Sequence, residues 1–283
     1  MKATIRRILL PLDPSIFADA ATRTACFIAK THHSEIFAVA VLDSDEIRAC
    51  LIPAIGPYYP MMIEEVQRKI QHADQILKEC MERCAATCRA ADVAHRQTEY
   101  EGIPARKLMD SSVFYDLIVT GLKNSFHFET RGNRTEALDE LLDYTATPVL
   151  AVPADGMSKI ERVLVGFDGS LGSARALRDF MFFARPYQPE ITIVTAEEDK
   201  TRADFLVGNA ELLLRAHGFE NIRRHIGKES VADVFDDLLT PGNPRIDLIV
   251  LGIHSGNPIK DFFVGSFTKR MIKRGDIPLF LSH

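Results

Sequence analysis

Two stretches of the 283-residue chain combine residue types and spacings that can do chemistry. The first is Asp168-Gly169-Ser170, in which a carboxylate, a flexible backbone unit and a hydroxyl follow one another. A carboxylate at a strand end accepts hydrogen bonds from ribose hydroxyls or helps to hold Mg²⁺. Ser170 reads equally well as the N-cap of a following helix. The second stretch is GIHSGNPIKDFFVGSFTKRMIKR, residues 252–274. Its glycines permit close backbone approach, and Gly265-Ser266 opens a helical pattern whose free N–H groups and positive dipole end suit an anion. On the plainer reading, Gly252 is a strand-to-loop turn and Gly265-Ser266 a helix start. The stretch is neither a G-x4-G-K-[ST] P-loop nor a G-x-G-x-x-G dinucleotide fingerprint. It holds five Lys/Arg and one Asp, a balance of +4, although Lys269 to Arg274 also sit where cations complement a helix C-terminus.

Other clusters are weaker. Cys80, Cys84 and Cys88 recur every four residues, with His72 upstream, a pattern open to zinc or oxidant chemistry. The same residues fall on an amphipathic stripe with Ile76, Leu77 and Met81, and reduced cysteine is a common core residue. The zinc spacing C-x2-C is missing. Neither a G-x-S-x-G elbow nor H-E-x-x-H occurs, so no hydrolase assembles itself from spacing. His32-His33 reads as a solvated turn, and Phe126, Phe128, Phe262 and Phe263 as core or interface aromatics.

The elements that must position these residues come in two copies. RRILLPLDPS (6–15) returns as ERVLVGFDGS (161–170), DLIVTG (116–121) as DLIVLG (247–252), and TPVLAVP (147–153) as IPLFLSH (277–283). Within the second copy, apolar strands at Arg162–Phe167, Ile191–Ala196, Ile222–Ile226, Leu248–Leu251 and Pro278–Leu281 alternate with helical patterns at Gly172–Ala184, Arg202–Ala216, Ser230–Leu239 and Ser266–Lys273. The first copy follows the same course, with strands at Ile8–Leu12, Ile36–Val41, Ala94–Tyr100, Leu117–Val119 and Val149–Val152. Its middle is longer, most of the excess falling after Asp45 in IPAIGPYYP and a long helical run, where a lid or packing arm fits. Strands apolar throughout are buried on both faces, and β-helix-β alternation makes parallel pairing the default. The fold class read from this is α/β, with two tandem doubly wound five-stranded parallel-sheet domains at residues 1–154 and 159–283. In such sheets ligands collect beyond the carboxyl ends of the strands, where both candidate stretches fall.

A duplicated βαβ domain with Asp ending strand one, DLIV-x-G ending strand four, a Gly-Ser helix start about thirteen residues later and a Pro-led last strand resembles the universal stress protein family over nearly the whole chain. The resemblance implies a Rossmann-like, adenine nucleotide alpha hydrolase-like fold. ATP-binding members carry G-x2-G-x9-G-[ST]. The second copy reads Gly252-x2-Ser255-x9-Gly265-Ser266, with serine at the second glycine and Gly256 beside it. By resemblance Asp168 faces the ribose, the backbone at Thr195 and Ala196 the base, and His254 lies beside the phosphates; Ser255, Gly256, Gly265 and Ser266 are the candidates to serve a phosphate, and Gly252 and Phe267 complete the cofactor-binding set. The first copy keeps only the first glycine and the last hydroxyl, in Gly121-x2-Asn124-x9-Arg134-Thr135. Residues 121–143 carry three Lys/Arg and five Asp/Glu, a balance of -2. The expectation is therefore a stress-response protein whose second copy binds ATP or a related adenine nucleotide, with or without Mg²⁺, as a conformational ligand. The halves should pair through Val149–Val152 and Leu279–Leu281 as a pseudo-dimer, leaving homodimerisation open. Slow ATP hydrolysis lacks a nominated water-positioning base. The alternative is a nucleotide-free interaction protein that docks a partner or apolar ligand through its first copy.

Composition is compatible with both. With 46% hydrophobic and 26% charged residues the chain is neither disordered nor fibrous, and a net charge of -5 gives no footprint of a nucleic-acid binder. The N-terminal apolar run, Ile8 to Leu12, is too short for a signal sequence or a membrane span, so a cytoplasmic protein without nucleic-acid or membrane partners is expected. Five cysteines confined to the first third, Cys50 among them, do not form a disulfide framework.

Overall fold

A computed structural model describes residues 5–49, 59–126, 128, 130, 138, 141, 142, 145–253 and 265–283. The first half runs β1 (Arg7–Leu12), α1 (Ile16–His32), β2 (Glu35–Leu42), α2 (Ser44–Ala49), α3 (Tyr59–Ala90), β3 (His95–Glu101), α4 (Pro104–Ser112), β4 (Leu117–Gly121) and β5 (Val149–Val152). The second runs β6 (Arg162–Gly166), α5 (Leu171–Ala184), β7 (Glu190–Ala196), α6 (Lys200–Ala216), β8 (Ile222–Gly227), α7 (Val231–Leu238), β9 (Leu248–Gly252), α8 (Ser266–Arg274) and β10 (Leu279–Ser282).

The strands form one ten-stranded sheet in the order β3-β2-β1-β4-β5-β10-β9-β6-β7-β8. Every neighbouring pair is parallel except β5 and β10, which meet antiparallel with Leu150 opposite Phe280. The halves thus pair through their last strands. Each half has the order 3-2-1-4-5, so the chain reverses direction across the sheet between its first and fourth strands.

Alternation assigns the core. Ile8, Leu10 and Leu12 point into a layer with α1, α3, α5 and α6, while Leu9 points into the opposite layer with α4, α7 and α8. The repeated motifs are fasteners. Asp116 and Asp247, which open the two DLIV runs, each accept two amides from the start of the half's first strand, Arg6 and Arg7 at 2.8 and 2.9 Å and Glu161 and Arg162 at 3.0 Å. Pro148 and Pro278 offer their carbonyls to Ile118 and Ile249, a role that needs no N–H of their own.

Two expectations need correction, and the join between the halves adds a contact. β3 and β8 are strands but not apolar ones: residues 96–101 are exposed, because these strands form the two edges of the sheet. The polar join between the halves is anchored to α1, with Met157 buried, its amide donating to Thr24 Oγ1 at 2.9 Å, and Gly156 at φ +74 passing against Ala20 and Thr24. His32 is not solvated. It closes α1 on the inner face, fully buried and stacked on Phe183 at 5.9 Å, and only His33 turns outward at φ 58. Phe126 is buried in the layer with α4, and Phe128 packs, partly buried, against the opposite layer with α1, whereas Phe262 and Phe263 lie outside the described residues.

α3 is 32 residues long against 17 for its counterpart α6, which accounts for part of the longer first half. The IPAIGPYYP run before it lies, up to residue 58, outside the described residues.

Candidate functional site

In the second half a cavity of about 470 Å³ opens at the carboxyl ends of β6, β7 and β9, where the sheet reverses direction. Its volume lies in the range of small-molecule and cofactor sites. Three helices begin on its wall: α5 at Ser170 and Ser173, α7 at Ser230 and Val231, and α8 at Gly265 and Ser266. Ser170 caps α5 through the Ser173 amide, and Ser230 caps α7 through the Asp233 amide. α8 starts at Gly265 without any side-chain cap. Its opening amides therefore face the cavity with no acceptor from their own cap residue.

The two glycines of the motif have different reasons to be glycine. A Cβ on Gly252 would lie 2.4 Å from Gly172 C and Ser173 N, so β9 can end against α5 only without a side chain. Among the described residues a Cβ on Gly265 would meet nothing closer than Ile253 O at 4.0 Å, and Gly265 has φ -55, which any residue adopts. None of the described residues requires glycine at 265.

Asp168 is exposed at the mouth, with Oδ1 accepting the Ser170 amide at 2.9 Å. The surrounding protein opposes its charge by desolvation, but hydrogen bonds from Ser170 and Ser173 outweigh this and hold the carboxyl below the usual range. Its counterpart Asp13 is 2% exposed, with Oδ1 on the Ser15 amide at 2.8 Å and Oδ2 on the Ser125 amide at 2.6 Å. Desolvation there prevails over both bonds and raises the pKa. In the first half the segment after β4 folds back over the strand ends, burying Leu122, Asn124 and Phe126, with both amide atoms of Asn124 unpartnered. The local difference is visible at Gly169, whose φ of +76 Pro14 cannot adopt.

Of the residues predicted from sequence, Asp168, Thr195, Ala196, Gly252, Gly265, Ser266 and Phe267 come together on this cavity. Thr195 is buried with an unpartnered hydroxyl, and Phe267 leans on Phe235 at 4.8 Å. His254, Ser255 and Gly256 lie outside the described residues. Sequence reasoning missed Gly166, Phe167, Glu229 and Ser230, of which Ser230 alone carried a signal, as the N-cap before an amphipathic run.

Among the described residues the two arginines of the surplus do not line the cavity. Arg270 pairs with Asp236, and Arg274 with Asp276 at 2.9 Å. Among the described residues the lining has no Lys or Arg, and its ionisable side chains are Asp168 and Glu229. Positive potential here comes from helix N-termini. Among the described residues no group of His, Cys, Asp and Glu is arranged to hold a metal ion, and no helix is long and apolar enough to cross a membrane.

No family model and no curated protein matches the chain. Solved structures do. A universal stress protein from Archaeoglobus fulgidus superposes with a TM-score of 0.69 at 20% identity, over 99% of this chain and 96% of that one. A protein of unknown function from Pseudomonas aeruginosa PAO1 gives 0.58 at 10% identity, over 99% and 93%. A putative universal stress protein from Pseudomonas aeruginosa UCBPP-PA14 gives 0.56 at 11% identity, over 99% and 94%.

Proposed function

We propose that this chain, which has the fold of a tandem universal stress protein, is a stress-response regulatory protein that binds ATP or a related adenine nucleotide in its second half. The observation that carries the reading is the contrast between the two aspartates. Asp168 stands open and ionised beside the uncapped start of α8, while Asp13 is sealed beneath Ser125. In this reading the base lies against Phe167 and the ends of β7 at Thr195 and Ala196, Asp168 accepts the ribose hydroxyls, and the phosphates lie at the α8 amides. Gly265 leaves the space they need. Where Mg²⁺ accompanies the phosphates, the Glu229 carboxylate on that wall would be available to it.

In this reading the nucleotide acts as a conformational ligand. The first half serves as a structural partner through β5 and β10. The site of action is the cytoplasm. Isothermal calorimetry with ATP and Mg²⁺ tests this: heat of binding is expected from the wild type, and Gly265→Asp, which places a carboxylate among the phosphates, is expected to weaken binding by at least about tenfold, or 1.4 kcal/mol. No heat from the wild type at millimolar ATP overturns the reading.

One observation favours a second role. Residues 59–72 of α3 contain no buried side chain, and Tyr59, Met61 and Ile63 are 56%, 69% and 40% exposed. Such an arm suits an apolar ligand or partner. Met61→Glu with Ile63→Glu is expected to remove binding of an apolar dye while leaving the heat of ATP binding unchanged.

A further inference from the structure

Four cysteines of the described first half are free and buried, Cys26 on α1 and Cys80, Cys84 and Cys88 on α3. The sulfurs of Cys26 and Cys88 face one another across the α1–α3 contact at 3.8 Å. A disulfide bond measures about 2.05 Å, so the two atoms need to approach by roughly 1.8 Å, within the reach of side-chain rotation and slight helix movement. Cys80 is turned to Arg83 instead, at 3.4 Å, and Cys84 shares a helix face with Cys88 one turn away.

Packing alone does not call for sulfhydryls at these two places. Cys26 stands eleven residues after the N-cap Ser15, and Met181 stands eleven after the N-cap Ser170. Cys88 accepts the amide of Val93 through its carbonyl, just as Leu214 accepts that of Phe219. The second half therefore fills both equivalent core positions with Met and Leu, and it contains no cysteine.

We propose that Cys26 and Cys88 are a modification site, a dithiol that hydrogen peroxide converts to a disulfide joining α1 to α3. One sulfur attacks a peroxide oxygen, the O–O bond breaks, water leaves and a sulfenic acid remains; the second sulfur displaces that hydroxyl as a second water while the S–S bond forms. Two thiols and one peroxide give one disulfide and two waters, with two electrons passing from sulfur to oxygen. Contact with Cys88 and burial hold the Cys26 thiol well above the usual range; at Cys88 the contact with Cys26 lowers the pKa, but hydrogen bonding with Cys84 and burial outweigh it and push the value up to about 12. The conversion is accordingly slow and answers to sustained oxidant. Access to the buried pair requires local opening of the α1–α3 contact.

The test treats the reduced full-length protein with hydrogen peroxide, traps remaining thiols with an alkylating agent, and reads intact mass and a peptide map. The expected product has lost two hydrogens in mass, links the Cys26 and Cys88 peptides, and reverts with dithiothreitol. Cys84→Ser is expected to form the same link. Cys26→Met and Cys88→Leu, which borrow the second half's own side chains and so preserve packing, are expected to fold and to form none. Full alkylation of both cysteines after treatment, a link between any other pair, or sulfinic acid without a crosslink would each overturn the assignment.

Discussion

Gly252→Ala is expected to destabilise the protein by roughly 3 kcal/mol, whereas Gly265→Ala is expected to change stability by less than about 1 kcal/mol. The first substitution puts a methyl 2.4 Å from two backbone atoms of α5. Backbone in the first turn of a helix packed on the sheet has nowhere to retreat: Ser173 and Ala176 behind it are buried, and the helix N-cap is fixed by Ser170. The second substitution meets open space among the described residues, so its effect falls on whatever occupies that space. Urea denaturation with unchanged m-values would show the first effect as a large fall in midpoint and the second as a small one. Calorimetry would reverse the order for ligand affinity in folded protein. Equal loss of stability in both variants would mean that α8 begins against the protein rather than against a ligand.

This pair of glycines also marks how far the residues could be read before folding. The motif spacing locates both at the ends of strand and loop, yet not which of them serves the fold. That distinction depends on how closely β9 approaches α5, a three-dimensional quantity with no local signature. The same limit separates Asp13 from Asp168. Both end a first strand and precede a serine, but Pro14 and Gly169 differ in the backbone angles they allow, and the buried Leu122 and Phe126 close one site. Of these signals only the Pro-to-Gly difference is written locally.

The strands were legible because eight of them lie inside the sheet, where burial on both faces demands unbroken apolar runs. β3 and β8 escape that demand at the edges, and Arg223 and Arg224 on β8 instead pair with Glu190 and Glu211. The count of cations near α8 meets the same limit at Arg270. Asp236, the partner of Arg270, lies 34 residues earlier on α7, and only packing of the two helices shows that this charge is already engaged.

His32 provides the other large effect, a pH dependence with a defined sign. Burial lowers its pKa to about 4, with Arg6 and His33 adding to the shift and the Phe183 backbone opposing it. The geometry explains why the proton is refused. Nδ1 accepts the Ile5 amide at 3.2 Å, so protonating it would set one N–H against another, and Nε2 has no hydrogen-bond partner. Above the unfolded value near 6.5 the residue is neutral in both states and contributes no pH dependence. Below 6.5 the unfolded chain gains a proton that the folded chain declines, so stability falls as pH falls, at up to about 1.4 kcal/mol per pH unit and by about 3 kcal/mol in all by pH 4. Asp13, with its raised pKa, acts in the opposite direction wherever its titration overlaps this window. Comparing urea midpoints of the wild type and His32→Asn, which keeps an acceptor but cannot titrate, isolates the histidine. The difference between the two curves is expected to be flat above pH 7 and to narrow steadily below 6.5. Parallel curves down to pH 4.5 would mean that His32 takes up its proton in the folded state, and that the stacked contact with Phe183 tolerates an imidazolium.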